Sequence, residues 1–492
     1  MAIPDYFQRN AVAVSQVISG LDEERLASRL EDVCIGVTIG PDAAGDEGRA
    51  MADLLVRLLA RLYPSIMIHE EGAGGVANEI GALARRINPR IDLSGEATIE
   101  TVIGTAQPCW KATRTVFAGC EGWTARLSTH GPQGCGASNN PFGAGLAACL
   151  AAADVFRAVF LPGTELDGDC EVAVPDAGEG HLENGDVGGS VGSLVLAGAG
   201  AIGNAAAWAL SRTAVDGSIE IVDHESVDLG NLQRYVLAER DDEERLKAPF
   251  VAGGFSGKLT ASGHACTIAE FLHEKDHKVD NLLLALDSAK DRCAAQASLP
   301  RRVANAWTQP GDLGVSCHDF LEGACVSCLY LPNGKRKNED EIIAESFGVP
   351  DQLMQVRTLL YKNEGAPRDL LVAIAAARDL PLEKLLPFEG RPLRALYTEG
   401  FCGGAVIPLS EPGRPANEVH VPLAHQSALA GVLLAAAGVR MGLSGRVDSV
   451  VTQYDVLQPQ ERFQVYPAAK PPGERCICQD ADFREVYRRK YG

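Results

Sequence analysis

Apolar and polar positions along this chain alternate between two periods, those of strand and of helix. Residues 33–40 (VCIGVTIG) form a continuous apolar run, the mark of a strand buried on both faces. Residues 48–63 place apolar side chains at helical spacing, and SIMIHEE (65–71) returns to strand character. Residues 142–160 (FGAGLAACLAAADVFRAVF) are Ala-rich and apolar on every side, the pattern of a buried helix. Residues 175–190 (PDAGEGHLENGDVGGS) offer almost nothing to bury and read as a linker. Apolar strand character resumes at Val191. Residues 335–394 open on KRKNEDE and continue as short amphipathic helical patterns, among them 369–379, so they read as a helical insertion. Beyond Tyr397 a long apolar helix is expected over 421–441, and 445–466 alternates like sheet strands. The pattern predicts the α/β class in two halves, 1–185 and 186–492, with an insertion at about 335–396.

The second half opens on a nucleotide fingerprint. Leu194–Ala197 is a short apolar strand followed by Gly198-Ala-Gly200-Ala-Ile-Gly203, and then by a helix from about Asn204. The next strand, 219–222, ends on Asp223, and 223 − 203 gives a gap of 20 residues. Glycines let the backbone approach phosphates, a helix N-terminus offers free N–H groups, and the acid reaches ribose hydroxyls. The corresponding loop of the first half, GPDAAGDEG (40–48), has no such fingerprint. That half reads as a nucleotide-type fold without a phosphate site. The fingerprint alone would suit a dinucleotide dehydrogenase, so the following residues decide.

Those residues, DHESVDLGNLQR (223–234), resemble the signature DxDxVxxSNLxRQ of the ThiF/MoeB/ubiquitin-activating superfamily, with Glu225, Gly230 and Tyr235 as departures. Lys247, in ERLKAP, stands where that family has its phosphate-binding lysine. ALDSAKDR (285–292) resembles ALDNxxxR, with Ser288 replacing Asn, and VPLAHQSALAGVLLA (421–435) resembles the helix after the family's crossover loop. The resemblance implies that Asp223 holds the ribose of ATP, that Asn231, Arg234 and Lys247 hold its phosphates, and that Asp287 holds Mg2+. The chemistry suits these types: cations neutralise the triphosphate and the leaving pyrophosphate while a carboxylate attacks the α-phosphate. YFQRN (6–10) resembles the RYxRQ helix that lends an arginine to the partner half's ATP, which makes Arg9 a candidate. Family enzymes work as homodimers or as fused pseudodimers with one inactive half, and a degenerate first half is what a fused version would show.

The chain holds 14 cysteines in 492 residues, and a disulfide framework is not expected without an export signal. Cys325-Val-Ser-Cys328 and Cys476-Ile-Cys478 lie where many family members bind structural zinc, although the second pair is CxC rather than CxxC. Cys402, flanked by glycines in TEGFCGG, falls where the family places its thioester cysteine; Cys293 and Cys317, the latter beside His318, are rivals. The resemblance implies adenylation of a ubiquitin-like modifier, thioester formation and transfer to a conjugating enzyme, as in bacterial ubiquitin-like conjugation systems often linked to antiviral defence. The alternatives are a sulfur-carrier adenylyltransferase of cofactor biosynthesis, a nicotinamide dehydrogenase and a pseudoenzyme scaffold. A formal charge of −20 argues against nucleic acid as a partner. No run approaches the ~20 uninterrupted apolar residues of a membrane span. The N-terminus lacks the pattern of a secretory signal, so a cytoplasmic protein is expected.

Overall fold

The structure, a computed structural model, describes residues 2–18, 21–176, 185–310, 312–331, 339–397, 401, 421–459, 462–473 and 475–492. The chain divides into two units, one of Met1–Asn10, Glu23–Leu331 and Pro422–Gly492, the other of Ala11–Asp22 and Pro332–Val421. Helix α1 (Phe7–Ser15) begins in the first and continues into the second.

Within the larger unit the first half runs α2 (Glu23–Leu30), β1 (Ile35–Ile39), α3 (Asp46–Leu62), β2 (Ile66–Glu70), α4 (Val76–Ile87), β3 (Ile99–Ile103), β4 (Arg114–Glu121), β5 (Thr124–Ser128), α5 (Pro141–Phe160) and β6 (Asp169–Ala173). Its six strands lie in the order β2-β1-β3-β4-β5-β6. The first four are parallel and the last two antiparallel. β1 and β3 are buried along their whole length, which is why 33–40 reads as an unbroken apolar run.

The second half begins with β7 (Gly188–Ala197), α6 (Ala201–Leu210), β8 (Ala214–Val222), α7 (Lys247–Ala252), β9 (Leu259–His264) and α8 (Ile268–Glu274). It continues with β10 (Asn281–Leu284), α9 (Ala289–Ala297), β11 (Arg302–Gln309), β12 (Asp312–Asp319) and α10 (Val326–Leu329). The smaller unit follows, with α11 (Glu339–Ser346), α12 (Leu353–Lys362), α13 (Arg368–Arg378), α14 (Leu382–Leu385) and α15 (Leu393–Ala395) around a core that includes Phe347, Leu370, Ile374 and Phe388. The chain then returns through α16 (Ala424–Ser444), β13 (Val450–Asp455), β14 (Gln464–Pro467) and α17 (Ala481–Tyr491). The eight strands are ordered β14-β13-β12-β11-β10-β7-β8-β9. One expectation is corrected: β7 starts at Gly188, inside the segment read as linker, because residues 188–190 pair with 214–216 ahead of a bulge between Ser190 and Ser193.

The two sheets follow one plan. In each, a first strand pairs in parallel with the next on one side and with a later one on the other, a fourth parallel strand follows, and then two antiparallel strands. A long apolar helix joins the antiparallel two, α5 in the first half and α16 in the second. α5 packs on α3, α16 packs on α6, and α5 and α16 pack on each other. Arg157 stands 157 − 141 = 16 residues into α5 and donates to the carbonyl of Val456, just past β13, at 2.7 Å. Arg440 stands 440 − 424 = 16 residues into α16 and donates to Val174, just past β6, at 3.3 Å. The same side chain at the same register therefore closes the interface in both directions. The larger unit is a pseudodimer of two Rossmann-like halves. By length and apolarity α5 and α16 could each cross a bilayer; 94% and 78% of the relevant windows are buried here, in the seam between the halves.

Candidate active site

The glycine loop turns from β7 into α6. Gly198 holds φ +96°, and a Cβ there would stand 2.6 Å from the Ala285 carbonyl oxygen, so only glycine fits. Asp223, just past β8, accepts from the Ala199 N–H at 2.8 Å and from the Glu225 N–H at 2.9 Å, fixing the loop against the next strand. The segment between β8 and α7 forms a 3-10 turn at Leu229–Gln233. Asp228 caps it by accepting from Gly230 at 2.7 Å, while Asn231 Oδ1 accepts from Asp228 N–H at 3.1 Å. Asn231 thus shapes the loop through its oxygen as well as standing at the expected position.

Two arginines meet here. Arg9, on α1, and Arg234 each bury one Nη1 without a hydrogen-bond partner. Burial lowers the Arg234 guanidinium below its ordinary value, and the nearby Arg9 charge adds to this. A buried N–H of a cation with no acceptor is costly, and here two neighbouring cations carry one each, an arrangement that an anion bound to both would relieve. Gly230, a departure from the family signature, gains a reason: a Cβ there would come within 3.0 Å of Arg9 Nε and 3.2 Å of Arg9 Cγ. Tyr235, another departure, places its ring 5.3 Å from Lys247 Nζ and 5.8 Å from the Arg234 guanidinium carbon. Lys247 is 4% exposed and pairs with Glu225 Oε2 at 2.5 Å. Burial would lower its ammonium, but the Tyr235 phenol and the Glu225 carboxylate outweigh this and hold it above the usual lysine range.

Asp287 is exposed just beyond β10, two residues past the Ala285 that abuts Gly198. Arg292, the conserved-type arginine of the ALDNxxxR-like stretch, is buried and donates to Leu286 O, Asn305 Oδ1 and, at 2.7 Å, Ala306 O. It holds the Asp287 loop rather than facing a ligand. Ser288, in the place of Asn, caps α9 by accepting from Asp291 at 3.2 Å.

At the same place in the first half, the chain's own acids fill the space. Asp42 accepts from Thr105 N–H at 2.8 Å, Thr105 Oγ1 at 2.9 Å and Cys135 N–H at 2.8 Å. Burial alone would raise its pKa, but these bonds hold it below the ordinary carboxylate value. Glu47, 1% exposed, accepts from Ser138 N–H at 3.1 Å, from its hydroxyl, and from Gly122 N–H at 3.2 Å. Two carboxylates, one in the turn before α3 and one in its first turn, are thereby met by donors of the 105, 122, 135 and 138 segments.

Cys325, Cys328, Cys476 and Cys478 gather with all four Sγ atoms within 4.8 Å of one another. Cys325–Cys476 and Cys328–Cys478 lie at 3.4 Å and Cys325–Cys328 at 3.9 Å. Thiolates 2.3 Å from a tetrahedral Zn2+ would be roughly 3.8 Å apart, so the set fits that ion, CxC spacing included. Cys317 is corrected as a nucleophile candidate: it is buried, and burial pushes its thiol up to about 12. His318 faces away from that task, buried between Ser316 Oγ at 2.8 Å and Ala324 O at 2.7 Å. Cys293 sits partly buried on α9, and Cys402 lies outside the described residues. Sequence reasoning missed Arg57 and Arg61 of α3, which reach the Arg234 loop from the first half.

Comparison with known proteins fits this geometry. Residues 190–347 match the ThiF family and residues 40–161 match prokaryotic E2 family C. The chain is 41% identical over 509 aligned positions to the uncharacterized protein y4jF of Sinorhizobium fredii (strain NBRC 101917 / NGR234), covering 100% of this chain and 98% of that one. Among solved structures, E. coli MccB with AMPCPP and MccA is similar at 14% identity and a TM-score of 0.36, over 57% of this chain and 65% of MccB. MccB with ATP is similar at 12% and 0.36 over the same shares. This chain thus spans 65% of the length of MccB. With a glycine loop, a ThiF signature and a relative matched from end to end, the chain belongs to the same family as y4jF and to the ThiF/MoeB/ubiquitin-activating superfamily of ATP- and Mg2+-using adenylating enzymes.

Proposed function

We propose that the chain adenylates the C-terminal carboxylate of a ubiquitin-like protein and passes the acyl group to a thiol, then to a conjugating enzyme. The carrying observation is the pair of unpartnered, buried guanidinium nitrogens of Arg9 and Arg234, the latter next to Tyr235, whose hydroxyl lies against Gly200 of the glycine loop. A triphosphate would satisfy both, and it gives Asn231, Lys247 and Asp287 joint roles that a hydride-transfer reading leaves without use. The modifier's carboxylate oxygen attacks the α-phosphorus of ATP, the bond to the β-phosphate oxygen breaks, and pyrophosphate leaves with its charge met by Arg9, Arg234 and Lys247. Asp287 would hold Mg2+, which when bound neutralises phosphate oxygens. The Cys402 thiolate then attacks the acyl carbon, a thioester forms and AMP leaves; the thiol proton goes to solvent. The four-cysteine cluster would hold a structural zinc joining the segment ahead of α17 to α10. The match of residues 40–161 to a prokaryotic E2 family supports a setting in conjugation.

The test is ATP–pyrophosphate exchange with purified chain and candidate modifiers. Exchange that requires both modifier and Mg2+ is the expected result; tight binding of NADH with none of ATP would overturn the reading. If exchange occurs with no reductant-sensitive adduct, the chain stops at the adenylate, as a sulfur-carrier enzyme does.

A further inference from the structure

The loop that carries Arg234 is capped within its own half by Asp228 and Asn231, but its carbonyls are held from the other half. Arg61, in the last turn of α3, is 1% exposed and sends its guanidinium across to three carbonyls of that loop. Nη1 donates to Leu232 O at 2.5 Å, and Nη2 donates to Val236 O at 3.0 Å and Ala238 O at 2.7 Å. Arg57, one helical turn earlier, adds a bond to Val236 O at 2.9 Å. Leu232 and Val236 bracket Arg234 by two residues on each side. Among the described residues no carboxylate forms an ion pair with Arg61. A buried cation spent on backbone carbonyls is an expensive way to pack two halves together, since apolar contact would serve. A rigid planar fork that fixes three carbonyls does something packing cannot: it specifies the path of the chain on both sides of one residue.

The same helix end also places Arg9. Asn10 Nδ2 donates to the Arg61 carbonyl at 2.7 Å, which anchors α1 to the end of α3. Tyr6 packs against Val227, Leu232, Tyr235 and Ala238. The neighbouring residue, Arg9, is thereby set against Gly230. One helix terminus of the half without a glycine fingerprint thus helps to fix both Arg9 and Arg234, each with an unpartnered Nη1.

We propose that Arg61, assisted by Arg57, is a positioning residue: it clamps residues 232–238 in the shape that holds Arg234 ready for a nucleotide phosphate. The inactive half is kept for this service to the active one. This rests on the ATP-site reading above, which the experiment tests separately.

The experiment titrates the full-length chain with MgATP by calorimetry and follows backbone amide exchange, for the wild type and for Arg61→Gln, Arg61→Lys and Arg57→Gln. If losing the clamp leaves about one loop in ten competent, ATP binds about tenfold more weakly in Arg61→Gln. Arg61→Lys should weaken binding as well, because an ammonium cannot span three carbonyls in one plane. Arg57→Gln, which leaves Arg61 in place, should lose roughly threefold, in line with one charge-assisted bond among four. Amide exchange should quicken in 232–238 and stay unchanged in β7 and α6. Wild-type affinity in Arg57→Gln and in a folded Arg61 variant would overturn the proposal, as would weakened binding with an unchanged loop. Should neither Arg61 variant fold, Arg57→Gln decides by the same two readouts. A wild-type chain that binds no ATP sinks the adenylation reading instead, and loop exchange then judges the clamp.

Discussion

Replacing Arg9 with alanine should separate a ligand-binding arginine from a structural one by the sign of its effect on stability. In the free protein Arg9 Nη1 is buried without an acceptor, and the Arg9 charge already disfavours the charged form of Arg234. Removing it relieves one unsatisfied donor and one like-charge repulsion, each worth on the order of 1 kcal/mol. Against that stands the loss of side-chain packing beside Gly230, of similar size. The free variant should therefore melt at or slightly above the wild-type temperature. With ATP the balance reverses: a charge-assisted hydrogen bond to phosphate contributes about 1.5–3 kcal/mol, so affinity should fall by roughly 10- to 150-fold. The assay is paired differential scanning calorimetry and isothermal titration, without and with MgATP. At ligand concentrations 100-fold above the wild-type Kd, the wild type gains about 2.7 kcal/mol and the variant only about 0.3–1.4 kcal/mol. A variant that melts several degrees lower when free, yet binds ATP like the wild type, would refute the assignment and make Arg9 a packing residue.

Asp287→Ala should cut exchange by at least ~10²-fold while leaving the melting temperature within about 2 °C, because Asp287 is exposed; wild-type exchange would remove it from the metal site. Elemental analysis should find about one zinc per chain, with Cys478→Ser losing the ion and several kcal/mol of stability; protein that is fully folded and zinc-free would end the assignment. Cys402→Ala should keep modifier-dependent exchange but lose the reductant-sensitive adduct, and an adduct that survives would place the nucleophile elsewhere. His425, buried in α16 against the Phe156 ring at 5.4 Å, is pulled down to about 3 by burial and then by the Arg157 charge. Its folded-state pKa lies below the unfolded value of about 6.5, so the unfolded chain binds the extra proton and stability falls as pH drops from about 6.5 towards 3. Melting followed from pH 7 to pH 4.5 should show His425→Gln losing less than the wild type; parallel curves would refute this.

What the sequence disclosed was what is written locally. Gly198, Gly200, Gly203 and Asp223 occupy one strand–turn–helix–strand stretch, where backbone geometry dictates residue type at fixed spacing. The departures in the same region were legible as departures, but their reasons were not, because Gly230 answers to Arg9, more than 200 residues earlier. Arg61 looked like an ordinary helix arginine in LLARLY; only the crossing of α3 into the other half reveals three carbonyls waiting for it. The repetition of plan between the sheets left little trace, since parallel strands demand only apolar side chains and many sequences satisfy that. The matched positions of Arg157 and Arg440 were the one signal available, and it required aligning two helices nearly 300 residues apart. Adjacency was no guide in one case, as expected: Cys317 and His318 are neighbours in β12, and neighbours in a strand point to opposite faces.

The crossing of Arg157 and Arg440 joins two halves that a peptide tether already links. In a complex of separate subunits, a helix end that serves the other subunit's loop is lost on dilution, and catalysis falls with concentration as the subunits part. Here that encounter is intramolecular, its effective concentration is fixed by the chain, and it persists at any protein level. Each copy of the chain therefore carries the Arg234 loop and the Arg61 fork that holds it in equal number.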